Sequence, residues 1–427
     1  MKKIFLTLLL LGQIMMAATI QYIETNGVRV PLIFEKDERL PLATVQFIFT
    51  NSGSIADGSK AGLAKFSSKM MNEGTKKLGS SAFADALEEK AIHIHSSIGT
   101  ETFVLETGAL KEQFDEALEY VAQLLADPNL SEQAFKKVKT TTIGGLSGKA
   151  NDFDYVASNE LKAILFEGTP LANPSSGTIE SVEKITLEDV EKFLAKNLVS
   201  SRLIIAVGGD VSIEELSKQL EKIITLLPQG EHEEVAHYEV RKEPKESLLS
   251  KDTKQAYIYF GAPFAMDVAD KEYYKARVAA HILGAGGFGS RLMEEIRVKR
   301  GLAYSAYARI VVNKSSSYLS GYLQTKLESQ KEAEKTVRDV IADFVKKGVS
   351  KEELKQTKKF LLGSEPLRVE TMSQRLGRTF QEFYRGHELG YSLRELELIK
   401  DLKLKDLNAF IQKHAEINDL SFAIVSK

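Results

Sequence analysis

Cysteine is absent from the chain, and no stretch of the sequence concentrates charge of one sign. Without cysteine the protein can form no disulfide and offers no thiol for lipid attachment, so cysteine usage says little about its compartment. The 57 basic and 59 acidic side chains are spread along all 427 residues and leave a formal net charge of −2. A nucleic-acid partner, which needs a concentrated basic surface, is therefore not expected.

The apolar run near the N-terminus, at 4–11, is shorter than the ~20 residues that a membrane-spanning helix needs. Two lysines precede this run, and the segment that follows it starts with Gly12 and ends with the small residues Ala17 and Ala18. This order is typical of a signal peptide, which we predict over 1–18 with the cleavage site near Ala17 and Ala18. We therefore expect an exported, periplasmic protein with no stable membrane insertion once the leader is removed.

The remaining composition is typical of a globular protein, with 43% hydrophobic and 27% charged residues. The length suggests about two to three domains. A repeat supports this division. Residues 185–194 and 402–411 share a helical apolar pattern at a shift of 217 residues, and at the same shift 202–207 and 419–424 share the pattern of a buried strand. The chain is therefore predicted to be a tandem duplication.

The fold class predicted from this repeat is α+β, with two homologous domains that each contain a mostly antiparallel sheet with helices packed on one face. We place the first domain at 19–228 and the second at 247–427. Between them, 229–246 is charged, lacks sustained apolar periodicity and is predicted to be a linker.

Residues 61–75 read Ala-Gly-Leu-Ala-Lys-Phe-Ser-Ser-Lys-Met-Met-Asn-Glu-Gly-Thr, shortly after an Asn-Ser-Gly-Ser segment. This stretch resembles the zinc-motif segment of the insulinase/pitrilysin/mitochondrial-processing-peptidase family. In that family two histidines on one helical face bind zinc, and a glutamate between them is the general base. The resemblance places Lys65, Ser68 and Lys69 at these three positions. Protonated lysines have no lone pair and repel a divalent cation, and a serine is too weak a base.

The family's third zinc ligand is a glutamate on a later helix, and its pattern resembles residues 135–145 here. The resemblance places Gly144 and Gly145 where the family has a pair of glutamates. No zinc bound by this chain is therefore expected. A solvated helical face is the simpler explanation for Lys65 and Lys69.

The second half resembles the family more closely, in the glycine-rich segment 284–292 and the segment 295–305. The resemblance implies that Gly284, Gly286, Gly287 and Gly289 form a substrate-binding loop. It also implies that Arg297 and Tyr304 reach a zinc site on another domain, where they position the peptide and stabilise an oxyanion.

The second-half segments also have two simpler interpretations. The first is that Arg297 pairs with Glu294 or Glu295, while Tyr304 packs within a strand. The second is that the glycines are a dinucleotide fingerprint, which we reject because they follow a predicted helix rather than a strand. In the first half, His93 and His95 lie on one face of a predicted strand, but no third ligand completes a metal site.

The resemblance predicts a substrate-binding subunit that is inactive alone and cleaves peptides only with a zinc-bearing homologous subunit. The substrate would be a peptide or an unfolded polypeptide, and a homodimer remains possible. Two alternatives stay open: a structural or binding protein that takes no part in proteolysis, and a metallopeptidase that uses an unrecognised site.

Overall fold

The structure is a computed structural model that describes residues 18–427. The predicted signal peptide, apart from Ala18, lies outside the described residues. None of the described helices is long and apolar enough to cross a membrane.

The first half contains a six-stranded sheet in the order β1-β2-β6-β3-β5-β4. Its neighbouring strands are antiparallel except β2 and β6, which run parallel. The strands are β1 (Thr19–Thr25), β2 (Val28–Lys36), β3 (Leu42–Thr50), β4 (His93–Ile98), β5 (Thr102–Leu110) and β6 (Leu203–Gly209). The helices are α1 (Leu63–Met71), α2 (Gly79–Glu89), α3 (Phe114–Ala126), α4 (Glu132–Lys149), α5 (Phe153–Leu165), α6 (Ile179–Glu183), α7 (Leu187–Asn197) and α8 (Ile213–Thr225).

The second half contains a five-stranded sheet in the order β7-β11-β8-β10-β9, in which β7 and β11 run parallel. Its strands are β7 (Glu246–Ser250), β8 (Gln255–Pro263), β9 (Ala303–Val312), β10 (Ser317–Lys326) and β11 (Ser421–Ser426). The α-helices are α9 (Tyr273–Ala280), α10 (Gln330–Lys347), α11 (Lys351–Gly363), α12 (Met372–Tyr384), α13 (Tyr391–Asp401) and α14 (Leu404–Lys413). Two π-helical turns, His281–Ala285 and Met293–Val298, complete this half.

The predicted duplication and fold class are confirmed. Helix α7 leads into β6 as α14 leads into β11, and α3 follows β5 as α10 follows β10. The predicted linker forms neither helix nor strand until β7 begins at Glu246. Each half has its own large apolar core, where one face of the sheet packs against helices of the same half.

The other face of each sheet is covered by a helix from the opposite half. Helix α5 packs on β8 and β11, where Leu161 and Leu165 share a buried cluster with Ala423. Helix α12 packs on β2 and β6, where Phe380 joins Ile33 in a second cluster. Each fully buried large apolar side chain contributes about 1.5–3 kcal/mol, so this exchange binds the halves together.

Polar contacts fix the angle between the halves. The Arg375 guanidinium on α12 bonds to Glu35, and its Nη2 lies 2.5 Å from the Asp37 carboxylate of the first half. The buried Glu101 carboxylate accepts hydrogen bonds from the Ser315 backbone N–H at 2.7 Å and the Tyr384 hydroxyl at 2.8 Å. Such buried charges must keep their partners, so the halves are held in one orientation.

Candidate functional site

Helix α1, which contains the vacant zinc-motif positions, is firmly anchored at its N-terminus. The buried Asp57 carboxylate accepts hydrogen bonds from the backbone N–H groups of Gly62 and Ala64, each at 2.7 Å. Burial raises the pKa of Asp57 to about 7, against the opposing effect of these two donors. Gly62 precedes the helix with φ of 90°, a left-handed conformation that favours glycine. The helix start is therefore fixed by local contacts.

Lys65, Ser68 and Lys69 all lie on α1, and two of them make internal contacts. The Ser68 side chain is buried, with 1% of the residue exposed, and accepts a hydrogen bond from the Ser96 hydroxyl on β4 at 3.2 Å. The Lys69 ammonium donates to the Thr142 hydroxyl on α4 at 2.8 Å. Lys65 and Lys69 are both half-buried, so neither lies on a freely solvated face.

The electrostatics around Lys69 oppose cation binding. Burial lowers the pKa of Lys69, and the positive charges of Lys65 and Lys149 lower it further. Three ammonium groups thus lie close enough to influence one another. A metal ion at this place would instead need negative or neutral ligands. Among residues 18–427 there is no group of three His, Cys, Asp or Glu side chains that could hold a metal ion.

Gly144 and Gly145 both lie on α4, exposed and with open space around the position of a Cβ. Successive residues of an α-helix are about 100° apart, so Gly145 lies about 60° from Thr142 around the helix and Gly144 about 160° away. Because Thr142 faces Lys69, Gly145 is nearer to the face of α4 that turns toward α1.

Sequence reasoning missed the contacts that join α1 to the edge strand β4. The Asn72 side chain accepts from the Ser96 backbone N–H at 2.7 Å and donates to the Ser96 carbonyl at 3.0 Å. One residue later, Glu73 forms an ion pair with Lys137 of α4 at 2.8 Å. Nothing in the sequence pattern near these residues indicates their partners, which are 24 and 64 positions away.

The glycine-rich segment of the second half links the two π-helical turns. A Cβ at Gly284 would collide with the Ala308 backbone of β9, so the first turn needs glycine there. Gly287 and Gly289 have φ of 63° and 89°, which only glycine adopts readily. Gly286 lies just before them, against the His281 carbonyl. Between the two left-handed glycines, the Phe288 side chain is 71% exposed.

Arg297 lies in the second π-helical turn, between two exposed aromatic rings. Its guanidinium carbon is 4.6 Å from the Phe288 ring centroid and 4.2 Å from the Tyr304 ring centroid. Tyr304, at the start of β9, is 81% exposed. Stacking on two rings restricts the guanidinium without occupying its N–H donors. We call Phe288, Arg297 and Tyr304 the aromatic–arginine cluster.

The simpler interpretation of Arg297 and Tyr304 is not what the structure has. The Glu295 carboxylate pairs with Lys299 at 2.6 Å and with Arg300 at 2.5 Å, and these partners lower its pKa. Arg297 forms no ion pair with any residue in 18–427, so its five N–H donors are available. Tyr304 is exposed rather than packed. The cluster can therefore donate hydrogen bonds to a carbonyl or an oxyanion.

The glycine-rich segment follows helix α9 and a π-helical turn, so the strand that a dinucleotide fingerprint requires is absent here. His93 and His95 are both exposed on β4. Neither belongs to a group of three metal-binding side chains within the part of the chain that the structure describes.

Comparisons with known proteins agree with this architecture. The family model described as "Insulinase (Peptidase family M16)" matches residues 33–179, and the one described as "Peptidase M16 inactive domain" matches 184–361. The "Non-peptidase homolog YmxG" of Helicobacter pylori is 44% identical over 428 aligned residues, covering 100% of this chain and 99% of the relative. The chain belongs to peptidase family M16, the insulinase family.

More distant M16 relatives differ in how much they share. An "Uncharacterized zinc protease" of Rickettsia bellii is 25% identical over 57% of this chain and 58% of its own length. The crystal structure of a peptidase M16 inactive domain from Pseudomonas fluorescens has a TM-score of 0.88 at 24% identity, covering 96% of this chain and 98% of that one. This M16 protein thus has the peptidase fold, with lysines and a serine at the positions that the zinc motif would occupy.

Proposed function

We propose that the chain is non-catalytic alone and is the substrate-binding subunit of a heterodimeric zinc peptidase, with a zinc-bearing homologous subunit as its partner. The observation that carries the proposal is the aromatic–arginine cluster, in which Arg297 is oriented by two rings and has no carboxylate partner among residues 18–427. A half-exposed guanidinium held in one direction is suited to bind the partner's substrate.

In this proposal the two subunits divide the chemistry. Zinc in the partner would polarise the scissile carbonyl and activate water. The N–H groups of Arg297 and the Tyr304 hydroxyl then donate hydrogen bonds to the peptide carbonyl and to the oxyanion that develops from it. Because the donors are fixed before the substrate arrives, little reorganisation is needed during the reaction. The substrate would be a peptide or an unfolded polypeptide, and the predicted leader would bring the chain to the periplasm.

Two features of the first half also support a non-catalytic role. Lys65 and Lys69 leave the zinc-motif positions positively charged, and Ser68 is buried in a contact with β4. The Helicobacter pylori relative, which matches over the whole length, is named a non-peptidase homolog. Neither observation chooses between a substrate-binding subunit and a purely structural protein, so the test must measure what the chain adds to a zinc-bearing partner.

The test is a peptidase assay on the zinc-bearing homologue that co-purifies with the chain, identified by mass spectrometry. We expect the chain to raise the homologue's rate on a quenched fluorescent peptide, and the Arg297→Ala variant to lose about 10²- to 10³-fold of that gain. Arg300→Ala is the matched control, because Arg300 lies in the same segment but pairs with Glu295. We expect this control to keep the gain within about twofold.

The alternatives give different results in the same experiment. If the homologue alone is as fast as the mixture, the chain is a structural or binding protein. If the chain alone cleaves the peptide and retains stoichiometric zinc against a chelator, it is a metallopeptidase with an unrecognised site. Equal losses for Arg297→Ala and Arg300→Ala would remove the specific role of Arg297.

A further inference from the structure

A cavity of about 240 Å³ lies beside the aromatic–arginine cluster, between the glycine-rich segment and helix α11. One wall consists of the first π-helical turn and the loop, and the opposite wall of α11. Phe288 lines this cavity and also stacks on Arg297, so one ring separates the cavity from the guanidinium. A cavity of about 150 Å³ is enough for a benzene ring, so this one has room for an aromatic side chain.

The rim of the cavity is aromatic and exposed. Phe360 of α11 is 52% exposed, and its ring stacks on His281 with the centroids 4.8 Å apart. Burial lowers the pKa of His281, and the charges of Arg368 and Arg277 lower it further, which favours the neutral imidazole. Exposed large aromatic rings around a concave surface are typical of a binding site.

The lining carries no uncompensated charge among the described residues. Glu353 is the acidic residue of the cavity, and the Arg291 guanidinium binds both of its oxygens at 2.6 Å and 2.9 Å. Arg291 and the Ser350 N–H hold the pKa of Glu353 down, at about 2, despite burial. A cationic or anionic side chain would thus lose its hydration without gaining an ion pair. The cavity favours an uncharged group.

One polar atom of the cavity lacks a partner. Ser290 is 2% exposed, and its hydroxyl makes no hydrogen bond with the described residues. The backbone N–H of Ser290 donates to the Gly287 carbonyl at 3.0 Å, so the loop fixes the residue in place. A buried hydroxyl without a partner is costly, and a ligand with a polar tip, such as an indole N–H or a phenol O–H, would satisfy it.

We propose that this cavity is a side-chain pocket for an aromatic residue of the peptide whose backbone Arg297 and Tyr304 bind. The inference rests on the proposed substrate-binding function and adds a substrate preference to it. The volume, the neutral lining and the Ser290 hydroxyl define the class of side chain. Phe288 belongs both to the pocket and to the aromatic–arginine cluster, so the pocket lies directly beside the cluster.

The test measures peptide binding to the purified chain alone. The chain contains no tryptophan. A ten-residue peptide with a single tryptophan therefore reports burial through a blue shift of its own emission. Its counterpart has alanine at that position, and both carry a dye for anisotropy. We expect the tryptophan peptide to bind about tenfold more tightly and to show the blue shift.

A pocket-filling variant provides the decisive comparison. Gln356→Phe places a ring at the exposed rim of the cavity, whereas Lys355→Phe adds the same ring to α11 at an exposed position outside the cavity. We expect Gln356→Phe to abolish the blue shift and to weaken the tryptophan peptide about tenfold, with the alanine peptide unchanged. Lys355→Phe should change neither peptide, and Arg297→Ala should weaken both.

Other results overturn the inference. Equal affinity for the two peptides, equal loss of both in Gln356→Phe, or no binding of either peptide would exclude a side-chain pocket. If Gln356→Phe instead changes only the sedimentation of the chain, the cavity accommodates a second copy. The binding test needs no zinc-bearing subunit and is therefore independent of the peptidase assay. Pocket selectivity in the binding test with no rate gain in the peptidase assay would reject the proposed function alone. A rate gain without selectivity would reject the pocket alone.

Discussion

The first half turns its zinc-motif positions inward, whereas the second half exposes the two aromatic rings of its aromatic–arginine cluster. Ser68 is buried against β4, and Lys69 is hydrogen-bonded to α4. In the second half, Phe288 and Tyr304 are mostly exposed on either side of Arg297. Exposed aromatic rings contribute little to folding, while buried contacts contribute directly. The zinc-motif residues of the first half therefore contribute to the packing of the fold, whereas the exposed rings of the second half do not.

This difference argues against uniform decay of an ancestral peptidase. Loss of function in the whole molecule would give no reason for two exposed aromatic rings around an arginine that has no carboxylate partner among residues 18–427. The stacking also depends on Gly287 and Gly289, whose left-handed conformations set the path of the loop on either side of Phe288. The second half therefore has a loop that is shaped to hold Phe288 over Arg297, whereas the zinc-motif residues of the first half contribute only to the fold.

The strongest test of this difference is to restore zinc ligands at the zinc-motif positions of the first half. We expect the combined variant Lys65→His, Ser68→Glu, Lys69→His and Gly145→Glu to bind one zinc ion per chain, with an affinity at least about 10³-fold above that of the parent. Elemental analysis and competition with a chelator measure this. The same variant with glutamate at Gly144 instead of Gly145 is the control, and helical geometry predicts weaker binding for it.

Two outcomes would count against this account of the first region. A restored variant that keeps its circular dichroism spectrum but takes up no zinc would show that α1 and α4 do not form a metal-site frame. Equal zinc affinity with glutamate at either glycine would show that the angular argument on α4 is wrong. Ser68 is buried, so the folding check must accompany every zinc measurement.

The sequence predicted the duplication and both sheets because strand and helix burial patterns are local and occur twice. It did not predict that α5 and α12 exchange sheets, since the apolar face of a helix does not say which sheet it covers. It singled out Arg297 and Tyr304 through the resemblance of their segment to the family's substrate-binding half. Phe288 was missed, because a single aromatic residue among loop glycines has no periodic signal and becomes informative only once its ring is found over Arg297.

A second prediction compares the two halves by the free energy of unfolding that a substitution in each half costs. Asp57→Ala removes the acceptor of the Gly62 and Ala64 N–H groups at the start of α1, and we expect it to lower the free energy of unfolding by about 1–2 kcal/mol. Tyr304→Ala and Phe288→Ala should change it by no more than about 0.5 kcal/mol, because both side chains are mostly exposed. Urea unfolding at pH 7 measures all three. A cost above about 1 kcal/mol at Tyr304 or Phe288 would assign the cluster to the scaffold as well.

The smallest expected effect concerns the pH dependence of stability at Lys69. Burial and the neighbouring lysines lower the pKa of Lys69 from its ordinary value of 10.5, so the unfolded chain holds this proton more tightly than the folded chain. The penalty is present at neutral pH and fades as the pH rises through the folded pKa toward 10.5. Lys69→Met should therefore gain stability relative to the parent at pH 7, by less than about 1 kcal/mol, with the gain shrinking in alkaline solution.

Lys90→Met is the matched control for this prediction, because the Glu116 carboxylate raises the pKa of Lys90. The pH dependence of stability that Lys90 contributes therefore has the opposite sign. The Lys90 contribution is fully present below pH 10.5 and is lost only above it, so the stability difference between Lys90→Met and the parent should stay constant from pH 7 to 10.5. Urea unfolding from pH 7 to 10.5 therefore separates the changing difference expected for Lys69→Met from the constant one expected for Lys90→Met. A constant difference between Lys69→Met and the parent over this range would mean that Lys69 is solvated after all. The first region would then be as open to water as the second, and the contrast between them would rest on Ser68 alone.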